Sequence, residues 1–117
     1  NLFDANRHSI AGTGRGGSGY EARHNVEMGR TLSHCFDMHG GRDRKDGTDV
    51  AGVWMHVHHN TFRAAGRRAI VIRGTPEDEI LIERNWFRHR TERGAIRRED
   101  RVVVRHNAWG LTDPMID

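Results

Sequence analysis

The sequence predicts an all-β chain built as a parallel β-helix, with about five coils of 22–25 residues stacked along one axis and one longer insertion loop at 40–52. Two observations carry this expectation. An Asn-x-aromatic phrase, with Glu27 in place of the aromatic in one instance, recurs along the whole chain, and four of its five instances follow a short run in which apolar and polar residues alternate with period two. A third excludes the competing class: no apolar stripe at i, i+3, i+4 exists, so the repeat is not helical.

The phrase occurs as Asn1-Leu-Phe3, Asn25-Val-Glu27, Asn60-Thr-Phe62, Asn85-Trp-Phe87 and Asn107-Ala-Trp109, at spacings of 24, 35, 25 and 22. The long interval holds "GGRDRKDGTDVAG", about ten residues of extra loop rich in Gly and Asp. The preceding runs are "YEARHN" (20–25), "MHVHHN" (55–60), "ILIERN" (80–85) and "VVVRHN" (102–107). In register, Tyr20, Met55, Ile80 and Val102 share one column and Ala22, Val57, Ile82 and Val104 another, giving one apolar face. The opposite face carries Arg23, His58, Glu83 and Arg105 and is wet.

A second strand per repeat is read in "HSIAGTG" (8–14), "HCFDMHG" (34–40), "RAIVIRG" (68–74) and the weaker "GAIRRED" (94–100). Ile10, Phe36, Ile70 and Ile96 face inward together, and Gly14, Gly40 and Gly74 mark the turns. A unit of this size cannot bury its apolar face alone, so equivalent strands must stack as parallel sheets about 4.8 Å apart. Stacking explains the asparagines: an amide both donates and accepts, and can bond along the column while tolerating a tight turn. His24, His59 and His106, with Arg84 in the fourth instance, fill the position before each asparagine and read as a structural column.

Composition limits the partners. Hydrophobic residues are 35% and charged residues 30%, a balance that permits only an economical core in 117 residues. The 19 Lys+Arg exceed the 16 Asp+Glu by three, and Lys45 is the single lysine, so an anionic ligand suited to planar guanidinium groups is expected. The basic residues are interleaved with acids and form no run of five, which argues against nucleic acid. No apolar stretch approaches the roughly 18 residues of a membrane span. The lone Cys35 forms no internal disulfide and fits no zinc spacing. "GTGRGGSGY" (12–20) lacks a P-loop Lys-Ser/Thr.

The pattern strand-Asn-x-Phe, strand-Gly, together with "SHCFDMHGG…GTDVAGVWMHVHHNTF", resembles the right-handed parallel β-helix repeat of the pectate lyase-like superfamily, over essentially the whole chain. The resemblance implies a right-handed solenoid, an extracellular or cell-surface location and an acidic polysaccharide along the outer face of a stacked sheet. It does not fix the activity, because such folds host lyases, hydrolases, epimerases and adhesins. The chain lacks a pectate lyase-like triad of aspartates on adjacent coils and a polygalacturonase-like Asp-Asp pair. Asn1 falls in mid-repeat, so the expectation is a single domain, 1–117, that is a piece of a longer solenoid or that stacks end to end on neighbours.

Outward columns of the "HCFDMHG" set read Ala11/Asp37/Val71/Arg97 and Thr13/His39/Arg73/Glu99. Asp37 and His39 are the catalytic candidates, with His39 as base supported by Asp37. Arg73, Arg97, Glu99 and His58 are the substrate-binding candidates. A uronate lyase or epimerase needs a cation on the sugar carboxylate, supplied by Arg73 or Arg97, and a base for the C5 proton. Asp37 and Glu99 form the only hydrolytic pair on that face, at about 9.6 Å for two coils. The plainer reading is a solvated polar sheet face. No metal ligands are assigned, although His56 and His58 point the same way. Asp43, Asp46 and Asp49 in the insert raise calcium, against an ordinary solvated loop. A non-catalytic structural, adhesive or filament-forming segment is the alternative function.

Overall fold

Each repeat contributes three strand segments, and every one of them pairs in parallel with its counterpart in the next repeat. The computed structural model describes residues 1–110. In chain order the strands are β1 (Leu2–Phe3), β2 (Ile10–Gly12), β3 (Gly19–Arg23), β4 (Val26–Glu27), β5 (Phe36–Met38), β6 (Trp54–His58), β7 (Thr61–Phe62), β8 (Ile70–Ile72), β9 (Ile80–Glu83), β10 (Trp86–Phe87), β11 (Ile96–Arg97), β12 (Val102–Arg105) and β13 (Ala108–Trp109). Two single helical turns, α1 (Gly41–Arg44) and α2 (Glu92–Ala95), follow β5 and precede β11. The sheets run β1-β4-β7-β10-β13, β2-β5-β8-β11 and β3-β6-β9-β12. This all-β stack of parallel sheets fits a parallel β-helix.

The register is the one the columns predict. Tyr20, Met55, Ile80 and Val102 are successive partners, as are Ala22, Val57, Ile82 and Val104, and Ile10, Phe36, Ile70 and Ile96. These side chains and Met38, Ile72, Phe62 and Phe87 form one continuous core. The β-branched and aromatic content of the strands suits a pleated surface packed on its inner side.

One expectation is corrected. The Asn-x-Phe phrase is not only a corner: its last two residues form a third sheet, so each repeat has three strands rather than two. Two-residue strands are too short to show a period, which is why they escaped pattern reading. Their inward residues stack, with ring centroids 4.8 Å apart for Phe62 and Phe87 and 4.7 Å for Phe87 and Trp109. Glu27 occupies this column between Phe3 and Phe62, and it is buried. Burial pushes its carboxyl above the ordinary value, although hydrogen bonds with Ser9 and Cys35 oppose the shift. Burial, reinforced by Glu27, pushes the Cys35 thiol up to about 12, so this cysteine is an inert core residue.

The asparagines form the column expected of them. Asn1 donates from Nδ2 to Asn25 Oδ1 (2.9 Å), Asn25 to Asn60 (3.0 Å), Asn60 to Asn85 (3.0 Å) and Asn85 to Asn107 (3.1 Å). The backbone N–H groups of Asn25, Asn60 and Asn85 donate to the same acceptors. The residue before each of these four, His24, His59, Arg84 and His106, is left-handed with φ of 52–55°. That repeated backbone bend accounts for the column of histidines.

The glycine column has a steric cause. A Cβ on Gly14 would overlap the His39 carbonyl oxygen, and one on Gly40 would overlap that of Arg73, because the next repeat passes directly against them. The insert is held to the stack by Arg44, which donates to Asp46 (2.9 Å), Thr13 O (2.8 Å), His39 O (3.3 Å) and Val50 O (2.8 Å).

Candidate functional site

The middle strand β5 places Asp37 at a position where its neighbours across the sheet are Ala11 and Val71. Both are small or apolar, so the carboxylate has no partner along the column. It is covered instead by side chains from the strand ends. His34 Nε2 lies 3.0 Å and His39 Nε2 3.2 Å from Asp37 Oδ2, and Arg73 Nε lies 3.5 Å from Oδ1. Asp37 is fully buried, yet neither carboxylate oxygen receives a well-directed hydrogen bond. These contacts are electrostatic in character. Beneath them Tyr20 donates its hydroxyl to the Asp37 carbonyl at 2.9 Å. Burial first, and then the Asp37 carboxylate, keep the Tyr20 phenol protonated well above its ordinary range.

His39 continues the strand, as shown by its N–H donating to Gly12 O at 3.0 Å, and Arg73 sits beside it through Arg73 N–H to Met38 O at 3.0 Å. The insert supplies the wall beyond them. Asp43 Oδ2 pairs with His39 Nδ1 at 3.2 Å, and its Oδ1 lies 3.6 Å from Arg73 Nη1. Desolvation pulls the Asp43 carboxyl upward, but the Gly40 N–H, His39 and Arg73 outweigh it and hold the group below its ordinary value. For His34 burial is the main influence and lowers its basicity. Asp37 opposes that shift, while His8 and Arg73 add to it.

Beside this cluster lies a shallow groove of about 290 Å³ lined by Ser33, His34, Arg67, Arg68, Val71, Arg73 and Arg97. Its charged side chains are four arginines, with no carboxylate among the lining residues. The structure therefore brings Asp37, His39, Arg73 and Arg97 into one region. Glu99 is exposed beyond the end of β11, where the fourth strand of this sheet is cut to two residues, and it is not part of the groove. His58 stands on another sheet, paired with Glu21 at 2.7 Å, while His56 pairs with Glu83 at 3.2 Å. The three insert aspartates do not converge: Asp43 faces His39 and Arg73, Asp46 binds Thr48 and Arg44, and Asp49 faces Thr75 and Arg42. Thr48 and Arg44 together lower Asp46 to about 2.

His8, His34, Arg67 and Arg68 were not among the sequence candidates. A signal for three of them was present. Ile10, Phe36 and Ile70 share a column, so the residues two positions earlier, His8, His34 and Arg68, share one too. The His8 and His34 rings stack with centroids 4.1 Å apart. Comparison of this chain with known protein families, with curated proteins and with solved structures found no match, so the site is argued from its own geometry.

Proposed function

We propose that this chain is a right-handed parallel β-helix of the pectate lyase-like kind, extracellular or at a cell surface, which binds an acidic polysaccharide in the arginine groove and abstracts the proton α to a uronate carboxylate. The right hand is part of this proposal, supported by the general preference for right-handed crossovers between parallel strands. The observation that carries the reading is the groove itself, four arginines beside an imidazole cluster with no acid among its lining residues.

Arg73 and Arg97 pair with the sugar carboxylate and draw charge from it, which acidifies the C5 proton. His39 is the base, because its side chain is 34% exposed while that of His34 is only 11% exposed. Asp43 and Asp37 stand 3.2 Å from His39 Nδ1 and Nε2 and hold the imidazole in place between them. Asp37 is buried and acts by positioning the imidazoles rather than by touching substrate. The C5–H electron pair then either forms the C4–C5 double bond as the C4–O bond breaks, the departing oxygen taking the proton held by His39, or takes a proton from water on the opposite face, giving the epimer.

Incubation with a panel of uronate polymers tests this, following ultraviolet absorbance of unsaturated ends and deuterium incorporation at C5. Turnover that falls at least about 100-fold in His39→Ala, with a raised KM in Arg97→Ala, is the expected result. Neither turnover nor binding, accompanied by concentration-dependent growth of long assemblies, would sink the reading in favour of a structural or filament-forming segment.

A further inference from the structure

Two groups of His, Asp and Glu come together among the described residues with donor atoms within 4.8 Å of one another: His8, His34 and Asp37, and separately Glu21, His56 and His58. They differ in whether the carboxylate is already hydrogen-bonded. In the second group Glu21 is hydrogen-bonded to His58 and His56 to Glu83, so each ligand atom has a protein partner. In the first, Asp37 is fully buried and both its oxygens lack a directed hydrogen bond. A buried carboxylate with no such partner is a costly arrangement unless a cation completes it.

The separation of His34 from Asp37 is that of two ligands of one cation. Two donors each about 2.1 Å from one cation, and roughly 90–109° apart, stand about 3.0–3.4 Å from each other. His34 Nε2 and Asp37 Oδ2 are 3.0 Å apart, without the alignment of a hydrogen bond. His8 is anchored beside them. Its Nδ1 lies 3.0 Å from the His34 carbonyl oxygen, which accepts the Nδ1–H of the neutral ring and leaves Nε2 as the remaining donor. An imidazole anchored through one nitrogen to a backbone carbonyl is the usual support of a metal-bound histidine. Arg73 Nε stands on the Oδ1 side of Asp37, and Arg73 Nη2 lies 3.5 Å from His34 Nε2, a contact that a bound cation replaces.

We propose that His8, His34 and Asp37 form a binding site for one divalent transition-metal cation of the zinc class. Two imidazoles and one carboxylate suit zinc, cobalt or nickel rather than calcium, which takes oxygen ligands. Three protein ligands leave a coordination position open, and His34 lies on the wall of the arginine groove. The site links two successive repeats, since His8 precedes β2 while His34 and Asp37 flank and occupy β5.

The test is calorimetric titration of the whole chain with zinc chloride, with turnover not measured, so the result is independent of any action on polysaccharide. One ion per chain at micromolar affinity or tighter is expected. His8→Ala and Asp37→Asn weaken it at least about 100-fold, and the His56→Ala/His58→Ala double variant leaves it unchanged. Proton NMR of the unaltered chain gives a second reading that needs no variant: zinc shifts the ring signals of His8 and His34 and not those of His56 and His58. Absence of binding, survival of binding in both single variants, or shifts at the other histidine pair would overturn the proposal.

Discussion

Two polar groups are buried in the same stack by opposite means. The asparagine column repeats along the stack, and Asn25, Asn60 and Asn85 are each both donor and acceptor to their neighbours in it. Asp37 occurs once, between Ala11 and Val71, and its oxygens find no directed partner. A polar group that recurs in register and is fully satisfied belongs to the frame. One that breaks the register and is left short of partners is where the frame departs from its own rule, and such departures concentrate at functional sites.

The largest expected effect comes from breaking the column at its centre. Asn60→Ala removes the acceptor of the Asn25 N–H and side-chain amide, and the donor to Asn85 Oδ1, Ala22 O and His58 O. Buried groups left without partners cost about 1–3 kcal/mol each, so a loss of about 3–5 kcal/mol is expected. Urea unfolding monitored by circular dichroism measures it. A loss under about 1 kcal/mol would mean that the column records the register without holding it.

Glu27 gives a smaller effect of opposite sign. It sits where Phe62 and Phe87 stack in later repeats, and its Oε1 is buried without a partner. Its folded pKa is raised above the unfolded value of about 4.3, so the native state holds more protons between the two values. Stability contributed by the neutral carboxyl is complete below the unfolded pKa and is lost as pH rises through the folded one. Glu27→Leu is therefore expected to stabilise the chain by about 1–3 kcal/mol at neutral pH, with little gain at pH near 4. Thermal unfolding across that range checks both the sign and the window. An equal gain at both pH values would show that packing, not ionisation, governs the column.

Much of this was readable from residue columns. Period-two runs of four or five residues set the register of the β3-β6-β9-β12 sheet, because one misplaced residue would expose Met55, Val57, Ile80 and Ile82 together. The third sheet was not readable, since Leu2–Phe3 or Thr61–Phe62 is too short to alternate. At the site, Asp37, His39 and Arg73 were visible as outward residues at neighbouring positions of one sheet. That Asp37 would be covered was not, because its burial comes from His34 and Arg73 folding over it from outside the three-residue strand. Asp43 was visible only as one of three acids in the insert. Its role beside His39 depends on the helical turn at Gly41–Arg44 and on Arg44 fixing that turn to the stack.

The smallest stability effect sharpens the contrast most. Asp37→Asn changes one buried atom, as gently as a polar substitution allows, and removes a charge that faces two imidazoles and a guanidinium. Removing one partner of a well-bonded buried ion pair is costly, but Asp37 has no directed hydrogen bond to lose and Arg73 keeps Asp43 as a partner. In metal-free buffer the variant should unfold within about 1 kcal/mol of the unaltered chain, against several for Asn60→Ala, although both lie at the centre of the stack. With zinc present the gap between the two should narrow. Bound cation raises the melting temperature of the unaltered chain and of Asn60→Ala by mass action, and leaves Asp37→Asn where it was. If Asp37→Asn instead proves as damaging as Asn60→Ala without metal, the carboxylate is part of the frame, and the distinction drawn from repetition and satisfaction fails at the position where it was drawn.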